Sequence, residues 1–293
     1  MGWEPAEGLQ RRCFRLKRGR YRLAPPIVAR PIERTGQPRS GSPEPDEAAW
    51  LRARRERRVR KTLGMVVLAA LLVAVAIAID KGSGGAPPRP GSKAARADVA
   101  AVGRLLDGLP ESGVTLGSPR APVTVTEFAD LECPFCRAFA KGAERSLING
   151  EVRNGSVKLV YRSLCTATCS GPLGHAGFAG QQAAAYAAGP QGRAWFYIEL
   201  FYYEQGAEGT DYVSTRFLDG LARQIPGLNF AQWRSELSAP GLRAQVAADE
   251  RAASAARIGT TPSLVIRGPG GRSRTIQGIP TYSSLLATIK SVR

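Results

Sequence analysis

The most extended apolar pattern in the chain covers residues 62–79, where eighteen consecutive positions carry neither charge nor proline. As an α-helix this run would be about 27 Å long, enough to cross the hydrocarbon core of a bilayer. Seven Lys and Arg residues lie directly before it, between positions 52 and 61, whereas Asp80, Lys81 and a Gly/Pro/Ser-rich stretch follow it. The pattern predicts a single-pass anchor in the cell membrane, with a cytoplasmic N-terminus and an exported remainder.

Two other interpretations of this run stay open. A buried core helix is one of them, although such a helix is seldom preceded by a dense basic cluster. A cleaved signal peptide is the other, because Ala76-Ile77-Ala78 resembles a small-x-small cleavage site. A leader of 61 residues and an apolar run longer than that of most signal peptides favour the retained anchor.

Periodic patterns typical of a folded domain return after residue 97. Alternating β-branched positions predict a strand at 122–128 and another at 157–162. The helix after the first strand is expected to stop at Asn149-Gly150. Helical spacing follows the second strand, and a hairpin with a Gly-Pro-Gly-Gly turn and a helix close the chain. We therefore divide the chain into a disordered basic cytoplasmic tail (1–61), a transmembrane anchor (62–79), a flexible linker (80–97) and one α/β domain (98–293).

The charge and the composition narrow the chemistry. Of the formal net charge of +17, residues 1–61 carry +10, from 17 Lys and Arg against 7 Asp and Glu. The charge is therefore concentrated in the tail, and no nucleic-acid partner is expected. The chain has five cysteines and a single histidine, His175, which is expected to be a surface or packed side chain. The cysteines are the candidates for any chemistry.

Two of these cysteines form a Cys-x-x-Cys motif, Cys133-Pro134-Phe135-Cys136, between the first predicted strand and the helix after it. Cys133 would lie at the helix N-terminus and Pro134 in the first turn, where its missing N–H is no loss. Unpaired backbone N–H groups and the helix dipole would lower the pKa of Cys133 and make it a nucleophile. Cys136, one turn further, suits the role of resolving thiol.

The segment EFADLECPFCRAF, with LGSPRAPVTVTEF before it and GTTPSLVI near residue 260, resembles the active-site region of DsbA-like thiol:disulfide oxidoreductases of the thioredoxin superfamily. The resemblance covers residues 98–293 and implies a thioredoxin fold with a helical insertion at about 171–257. It also implies that Pro262 is cis and that Thr261 offers its backbone to substrate beside Pro134 and Phe135. The aromatic residues of the insertion are expected to pack rather than to bind a ligand: Trp195, Phe196, Tyr197, Phe201, Tyr202 and Tyr203.

The resemblance further implies a buried acid under the active-site disulfide that relays a proton to the resolving thiol. Glu127, six residues before Cys133, is the expected residue. Burial would raise the pKa of its carboxyl into a range suited to proton transfer. The alternatives are that Glu127 faces solvent and that Asp130 or Glu132 takes the role, or that no residue does.

The activity implied is the introduction of disulfides into exported cysteine-containing proteins. A membrane protein of the DsbB or vitamin K epoxide reductase type would reoxidise Cys133 and Cys136, and no cofactor or metal is implied. Phe135 offers no hydrogen bond or charge to the Cys133 thiolate, so a reductase or isomerase is one alternative. A non-catalytic thioredoxin-like binding module is the other.

Cys165 and Cys169 lie just after the second predicted strand, and in an exported domain they are expected to form a disulfide. This pair is either a structural loop staple or a second redox pair. A four-thiolate metal site with Cys133 and Cys136 is disfavoured, because the 28-residue gap between the pairs does not match zinc-site spacing.

Overall fold

A computed structural model describes residues 86–293. The basic tail, the anchor predicted at 62–79 and its signal-peptide alternative lie outside the described residues. Within residues 86–293, no helix combines the length and the apolar character that a membrane span needs. The first described helix, α1 (Lys93–Leu106), begins five residues before the domain boundary expected at 98, because the Ser92 side chain caps it by accepting a hydrogen bond from the Ala95 N–H.

Six strands form one mixed sheet in the order β1-β2-β4-β3-β5-β6. β3 and β4 pair in parallel, and the other neighbouring pairs are antiparallel. The strands are β1 (Glu111–Ser112), β2 (Thr115–Leu116), β3 (Val123–Ala129), β4 (Val157–Ser163), β5 (Ser263–Arg267) and β6 (Ser273–Gln277). The second predicted strand corresponds to β4, where buried and half-buried residues alternate, and the short β1–β2 hairpin was not predicted.

The remaining helices are α2 (Pro134–Phe139), α3 (Arg145–Leu147), α4 (Ala167–Ser170), α5 (Gly174–Tyr186), α6 (Ala194–Tyr203), α7 (Thr215–Gln224), α8 (Phe230–Glu236), α9 (Pro240–Ala255) and α10 (Tyr282–Val292). Helices α4 to α9 all lie between β4 and β5 in the chain. The sheet and these helices form an α/β fold of the thioredoxin type, with β3 in the interior of the sheet between β4 and β5.

The helix after β3 does not stop at Asn149-Gly150 as expected. Two π-helical segments, Ala140–Glu144 and Ile148–Val152, flank α3 and carry the helical chain on to Val152. Gly150 is a packing position rather than a terminator, because a Cβ there would lie 2.8 Å from the Tyr282 hydroxyl of α10. The π-helical turns rotate the residues that follow relative to an unbroken α-helix.

The aromatic residues of α6 pack as predicted. Trp195, Tyr197, Phe201 and Tyr202 are fully buried, Phe196 is nearly so and Tyr203 is half-buried. The Trp195 indole N–H donates to the Val114 carbonyl at 2.9 Å, and its ring meets that of Tyr161 on β4 edge to face. The helices between β4 and β5 are thereby fixed against the sheet by buried rings with satisfied polar atoms.

Candidate active site

The Cys-x-x-Cys motif lies where β3 ends and α2 begins. Cys133 is the N-cap of α2, with an extended backbone, and Pro134 is the first helical residue. Cys133 is 4% exposed, Cys136 is fully buried, and both are free thiols. Phe135, between them in sequence, is 61% exposed. Both sulfurs are therefore largely shielded from solvent, and Cys133 is shielded less completely than Cys136.

A buried amide holds the turn that presents these thiols. The side-chain N–H groups of Gln205, just after α6, donate to the Leu131 carbonyl at 2.6 Å and to the Cys133 carbonyl at 3.2 Å. The Cys133 backbone N–H donates to the Asp130 carbonyl at 3.1 Å. Because these groups are buried, the hydrogen bonds fix the direction in which the Cys133 side chain leaves the backbone.

The two thiols have opposite acidities. A hydrogen bond from the Cys136 thiol is the largest effect that lowers the pKa of Cys133, to about 7. Desolvation opposes it, while the Thr261 side chain and the backbone N–H groups of Cys136 and Phe135 add to it. Burial raises the pKa of Cys136 well above its usual value, and the charges of Cys133 and Glu127 raise it further. Near neutral pH, Cys133 is therefore the thiol of the pair that ionises more readily.

The chain before β5 closes the site from the other side. The Thr261–Pro262 peptide bond is cis, and in the protonated state the Cys133 Sγ donates to the Thr261 carbonyl over 3.6 Å. The Thr261 hydroxyl lies 2.6 Å from the Thr166 hydroxyl, and the Gly278 N–H donates to the Pro262 carbonyl at 2.8 Å. The residues expected to dock substrate thus lie against the sulfur expected to react with it.

Glu127 lies on β3 and is fully buried, so it does not face solvent. Desolvation is the main effect that raises the pKa of its carboxyl, a hydrogen bond with Glu144 lowers it, and the charge of Cys133 raises it. The charge of Glu127 in turn acts on Cys136. The charge of Glu127 is therefore coupled to both sulfurs of the Cys-x-x-Cys motif.

Asp130 has a different environment from Glu127. Its buried carboxylate accepts backbone N–H bonds from Glu132, Thr166 and Thr168, at 2.9 to 3.1 Å, and hydroxyl bonds from both threonines. Glu132 accepts a hydrogen bond from Gln181. Asp130 therefore connects the active-site turn to the loop after β4, and its oxygens are occupied by hydrogen-bond donors.

That loop carries the second cysteine pair. Cys165 and Cys169 form a disulfide, with their Cα atoms 5.7 Å apart. His175 is exposed, and its Nδ1 lies 3.2 Å from the Cys169 Sγ. These three side chains form the one cluster of potential metal ligands among residues 86–293, and its sulfur atoms are bonded to each other. The four-cysteine site considered from the sequence is not assembled there.

Comparison with known proteins agrees with this architecture. The family model described as thioredoxin matches residues 110–290, more than half of the chain. The chain belongs to the thioredoxin family. Two curated relatives of this thioredoxin-family protein are both named probable disulfide bond formation protein D. One, from Bacillus anthracis, is 24% identical over 155 residues, which cover 53% of this chain and 69% of the relative. The other, from Bacillus cereus, is 23% identical over the same shares.

Solved structures show the same fold. Oxidised BdbD from Bacillus subtilis aligns with a TM-score of 0.53 and 18% identity, over 71% of this thioredoxin-family chain and 97% of the BdbD chain. The α-DsbA1 of Wolbachia pipientis aligns with a TM-score of 0.50 and 14% identity, over 64% and 92% of the two chains. At these identities the likeness establishes the fold.

Sequence reasoning missed three polar groups that position the site in this thioredoxin-family domain. Gln205, Thr166 and the hydrogen bonds between Asp130 and the loop after β4 have no local signature, because the partners are 36, 74 and 95 residues apart in the chain. The sequence offered one general indication. Asp130 directly follows a buried strand, and a carboxylate that is buried there needs hydrogen-bond donors.

Proposed function

We propose that this protein is a membrane-tethered, extracytoplasmic thiol:disulfide oxidoreductase that introduces disulfides into exported proteins through Cys133 and Cys136. The observation that carries the proposal is the pairing of a slightly exposed thiol of lowered pKa, Cys133, with a fully buried thiol of raised pKa, Cys136, where the Cys133 Sγ lies 3.6 Å from the Thr261 carbonyl oxygen. The names of the curated relatives agree with this activity.

In the proposed reaction, a substrate thiolate attacks the Cys133 sulfur of the oxidised protein. The bond between Cys133 and Cys136 breaks, its electron pair stays on the Cys136 sulfur, and that sulfur takes up a proton. The second substrate thiolate then attacks the substrate sulfur of the mixed disulfide and expels the Cys133 thiolate. The substrate gains a disulfide, and the protein is left as a dithiol.

The acidity of Cys133 favours this direction. A thiolate that is stable at neutral pH is a good leaving group, so reduced Cys133 is released readily from the mixed disulfide. In the proposal, a membrane protein of the DsbB or vitamin K epoxide reductase type returns the protein to the disulfide form. The anchor at 62–79 holds the domain on the extracytoplasmic side, and the Cys165–Cys169 disulfide is a staple that keeps Thr166 against Thr261.

Two exposed hydrophobic side chains support an unfolded polypeptide as substrate. Among the described residues, Phe135 and Ile279 are the large hydrophobic residues classed as exposed, at 61% and 44%. Phe135 is adjacent to Pro134 in the motif, and Ile279 follows Gly278, which hydrogen-bonds to Pro262. Apolar surface at both edges of a reactive thiol suits peptide segments that have not yet folded.

Replacing Phe135 or Ile279 with alanine should raise the KM for a reduced, unfolded protein substrate. Losing part of a buried apolar contact costs about 1 to 1.5 kcal/mol, or roughly tenfold in KM. The rate of disulfide reduction by dithiothreitol should stay unchanged, because this small reductant does not reach across the docking surface. Equal effects on both substrates would contradict the assignment.

The function itself is tested by mixing the oxidised full-length chain with a reduced, unfolded secretory protein and following the formation of substrate disulfides. We expect stoichiometric transfer, and a reduction potential nearer about −150 mV than −300 mV. Transfer of electrons in the reverse direction only would indicate a reductase, and reshuffling without net oxidation an isomerase. A potential below about −300 mV with no transfer would indicate a non-catalytic binding module.

A further inference from the structure

Three buried carboxyl groups lie together behind the active site, although only one was predicted. Glu127 is on β3, Glu144 is in the first π-helical segment and Glu199 is on α6, and each is at most 1% exposed. Both oxygens of Glu127 and of Glu199, and one oxygen of Glu144, accept no hydrogen bond from a donor group of residues 86–293. Ionised carboxylates buried in this way would be strongly destabilising, so the cluster retains protons.

The group within hydrogen-bonding reach of Glu127 is the carboxyl of Glu144. Two carboxyl groups share a hydrogen bond only when one of them is protonated, since an ionised carboxylate has no donor. Burial raises the pKa values of Glu127, Glu144 and Glu199, and the charges of Glu127 and Glu199 raise that of Glu144 further. A proton held between neighbouring carboxyl groups can move from one to the next without passing through water.

The three groups interact with one another, since Glu199 is coupled directly to Glu127 as well as to Glu144, and together they connect the buried sulfur with charged groups at the surface. Glu127 acts electrostatically on Cys136. Glu144 interacts with both Glu127 and Glu199. Glu199 is the group that feels the positive charges of Arg145 and Lys141. Both cationic residues are exposed, and the Lys141 Nζ lies 4.5 Å from the centre of the Tyr203 ring at the end of α6.

The other titratable groups that face Glu127 or Glu199 stay protonated near neutral pH or belong to the active site, while Asp98 acts on Lys141 and Tyr203 at the surface end. Burial raises the pKa values of the phenols that face Glu127 from β4 and α6, Tyr161 and Tyr202, well above the usual value. Tyr203 is affected by Glu199, and burial raises its pKa as well. Cys133 faces Glu127 from the N-terminus of α2. The carboxyl groups are therefore the members of this region that change charge as the thiols react.

We propose that Glu144 and Glu199 extend Glu127 into a proton relay between the buried sulfur of Cys136 and solvent at the surface near Lys141 and Arg145. The inference rests on the proposed function and deepens it. When the disulfide opens, the electron pair left on the Cys136 sulfur takes a proton from the Glu127 carboxyl group. Glu144 then gives its proton to Glu127, and Glu199 gives its proton to Glu144. Finally, Glu199 takes up a proton from solvent. Reoxidation moves one proton along the same path in the opposite direction.

The test uses Glu144→Gln and Glu199→Gln in the full-length chain, because glutamine keeps the size and a hydrogen-bond donor but cannot pass a proton on. The rate at which dithiothreitol reduces the Cys133–Cys136 disulfide is measured from pH 5 to 9 and compared with the wild type at each pH. This comparison cancels the ionisation of the reductant. We expect Glu144→Gln to slow the reaction about tenfold at pH 7 and to shift its pH profile, with a smaller effect in the same direction for Glu199→Gln.

Glu204→Gln is the matched control. Glu204 is also buried, at the C-cap of α6, and desolvation raises its pKa to about 7, but its carboxylate accepts hydrogen bonds from Gln224 and lies outside the cluster. Its pH profile should match that of the wild type. Folded Glu144→Gln and Glu199→Gln proteins with wild-type profiles would overturn the relay.

A second measurement covers the case in which the variants do not fold. Infrared spectra of the wild type should contain C=O bands of protonated, buried carboxyl groups. These bands should shift in frequency when dithiothreitol reduces the disulfide next to Glu127, which appears as a signal in the difference spectrum, reduced minus oxidised. Spectra without such bands would also overturn the proposal. Both measurements use dithiothreitol, so they succeed or fail independently of whether the protein oxidises exported substrates.

Discussion

Replacing Cys133 with serine is expected to abolish thiol–disulfide exchange, because the remaining thiol is fully buried and its pKa is raised well above the usual value. A hydroxyl group cannot form the mixed disulfide, and Cys136 is neither ionised nor accessible at neutral pH. The measurement is the oxidation of a reduced protein substrate, with alkylation by iodoacetamide as a direct probe of the thiol. Alkylation of Cys136 in this variant at pH 7, at a rate close to that of Cys133 in the wild type, would contradict the assignment.

Replacing Cys136 has a different and quantitative consequence. In Cys136→Ala the Cys133 thiolate can still attack a disulfide, but no inner thiol resolves the product, so we expect mixed disulfides with the protein substrate to accumulate. The variant also loses the hydrogen bond that is the largest cause of the lowered pKa of Cys133. A rise of the pKa from about 7 toward 9 reduces the thiolate fraction at pH 7 by about fiftyfold.

The expected loss of rate is smaller than the loss of thiolate. A more basic thiolate is more nucleophilic, and a rise of two pKa units increases the rate constant for attack by the thiolate about six- to tenfold. The rate of alkylation at pH 7 should therefore fall by only about five- to tenfold. Cys136→Ser is the matched control, because its hydroxyl still donates to Cys133 and should keep the midpoint of the alkylation profile closer to pH 7. An alanine variant with an unchanged midpoint would show that Thr261 and the backbone N–H groups set the acidity of Cys133 without Cys136.

The strand, the helix start and the motif between them could be predicted because the signals are local. The alternation of β3, Pro134 in the first turn and the spacing of Cys133 and Cys136 all lie within a short stretch of sequence, and short-range patterns are governed by backbone sterics and helix capping. Thr261 and Pro262 lie 128 residues or more beyond Cys133, and their place opposite it came from the resemblance to a family rather than from any pattern.

The cluster of Glu127, Glu144 and Glu199 could not be predicted from local sequence patterns. Glu144 falls in a π-helical segment, which changes the helix face on which a residue lies, and Glu199 stands among aromatic residues whose helix buries nearly every face. Hydrophobic periodicity identifies the buried face of a helix by its apolar residues, so an acidic residue on that face is predicted to be exposed. Only the packing of β3, the π-helical segment and α6 around Cys136 brings the three acids together.

Asp130→Ala is expected to lower the free energy of unfolding by about 3 to 5 kcal/mol. The buried carboxylate accepts three backbone N–H bonds and two hydroxyl bonds, and alanine leaves these donors without partners. Asparagine keeps one acceptor oxygen but replaces the other with an NH2 group, which would face N–H and O–H donors instead of accepting from them. Asp130→Asn should therefore also be strongly destabilising. Urea unfolding of the full-length chain measures both effects.

The matched control is Asp219→Asn, since Asp219 forms a partly exposed ion pair with Arg234 on the surface. Such pairs contribute about 1 kcal/mol or less, so this variant should unfold almost as the wild type does.

Amide hydrogen exchange measures the local effect of Asp130→Asn. The N–H groups of Thr166 and Thr168 should lose protection from exchange before those of the strands do, because they donate to the altered side chain. Since Thr166 also contacts Thr261, loss of this carboxylate should loosen the edge beside Cys133 and slow protein substrates more than dithiothreitol. Equal protection of Thr166 and Thr168 in the variant and the wild type would mean that the loop is held by its own disulfide rather than by Asp130.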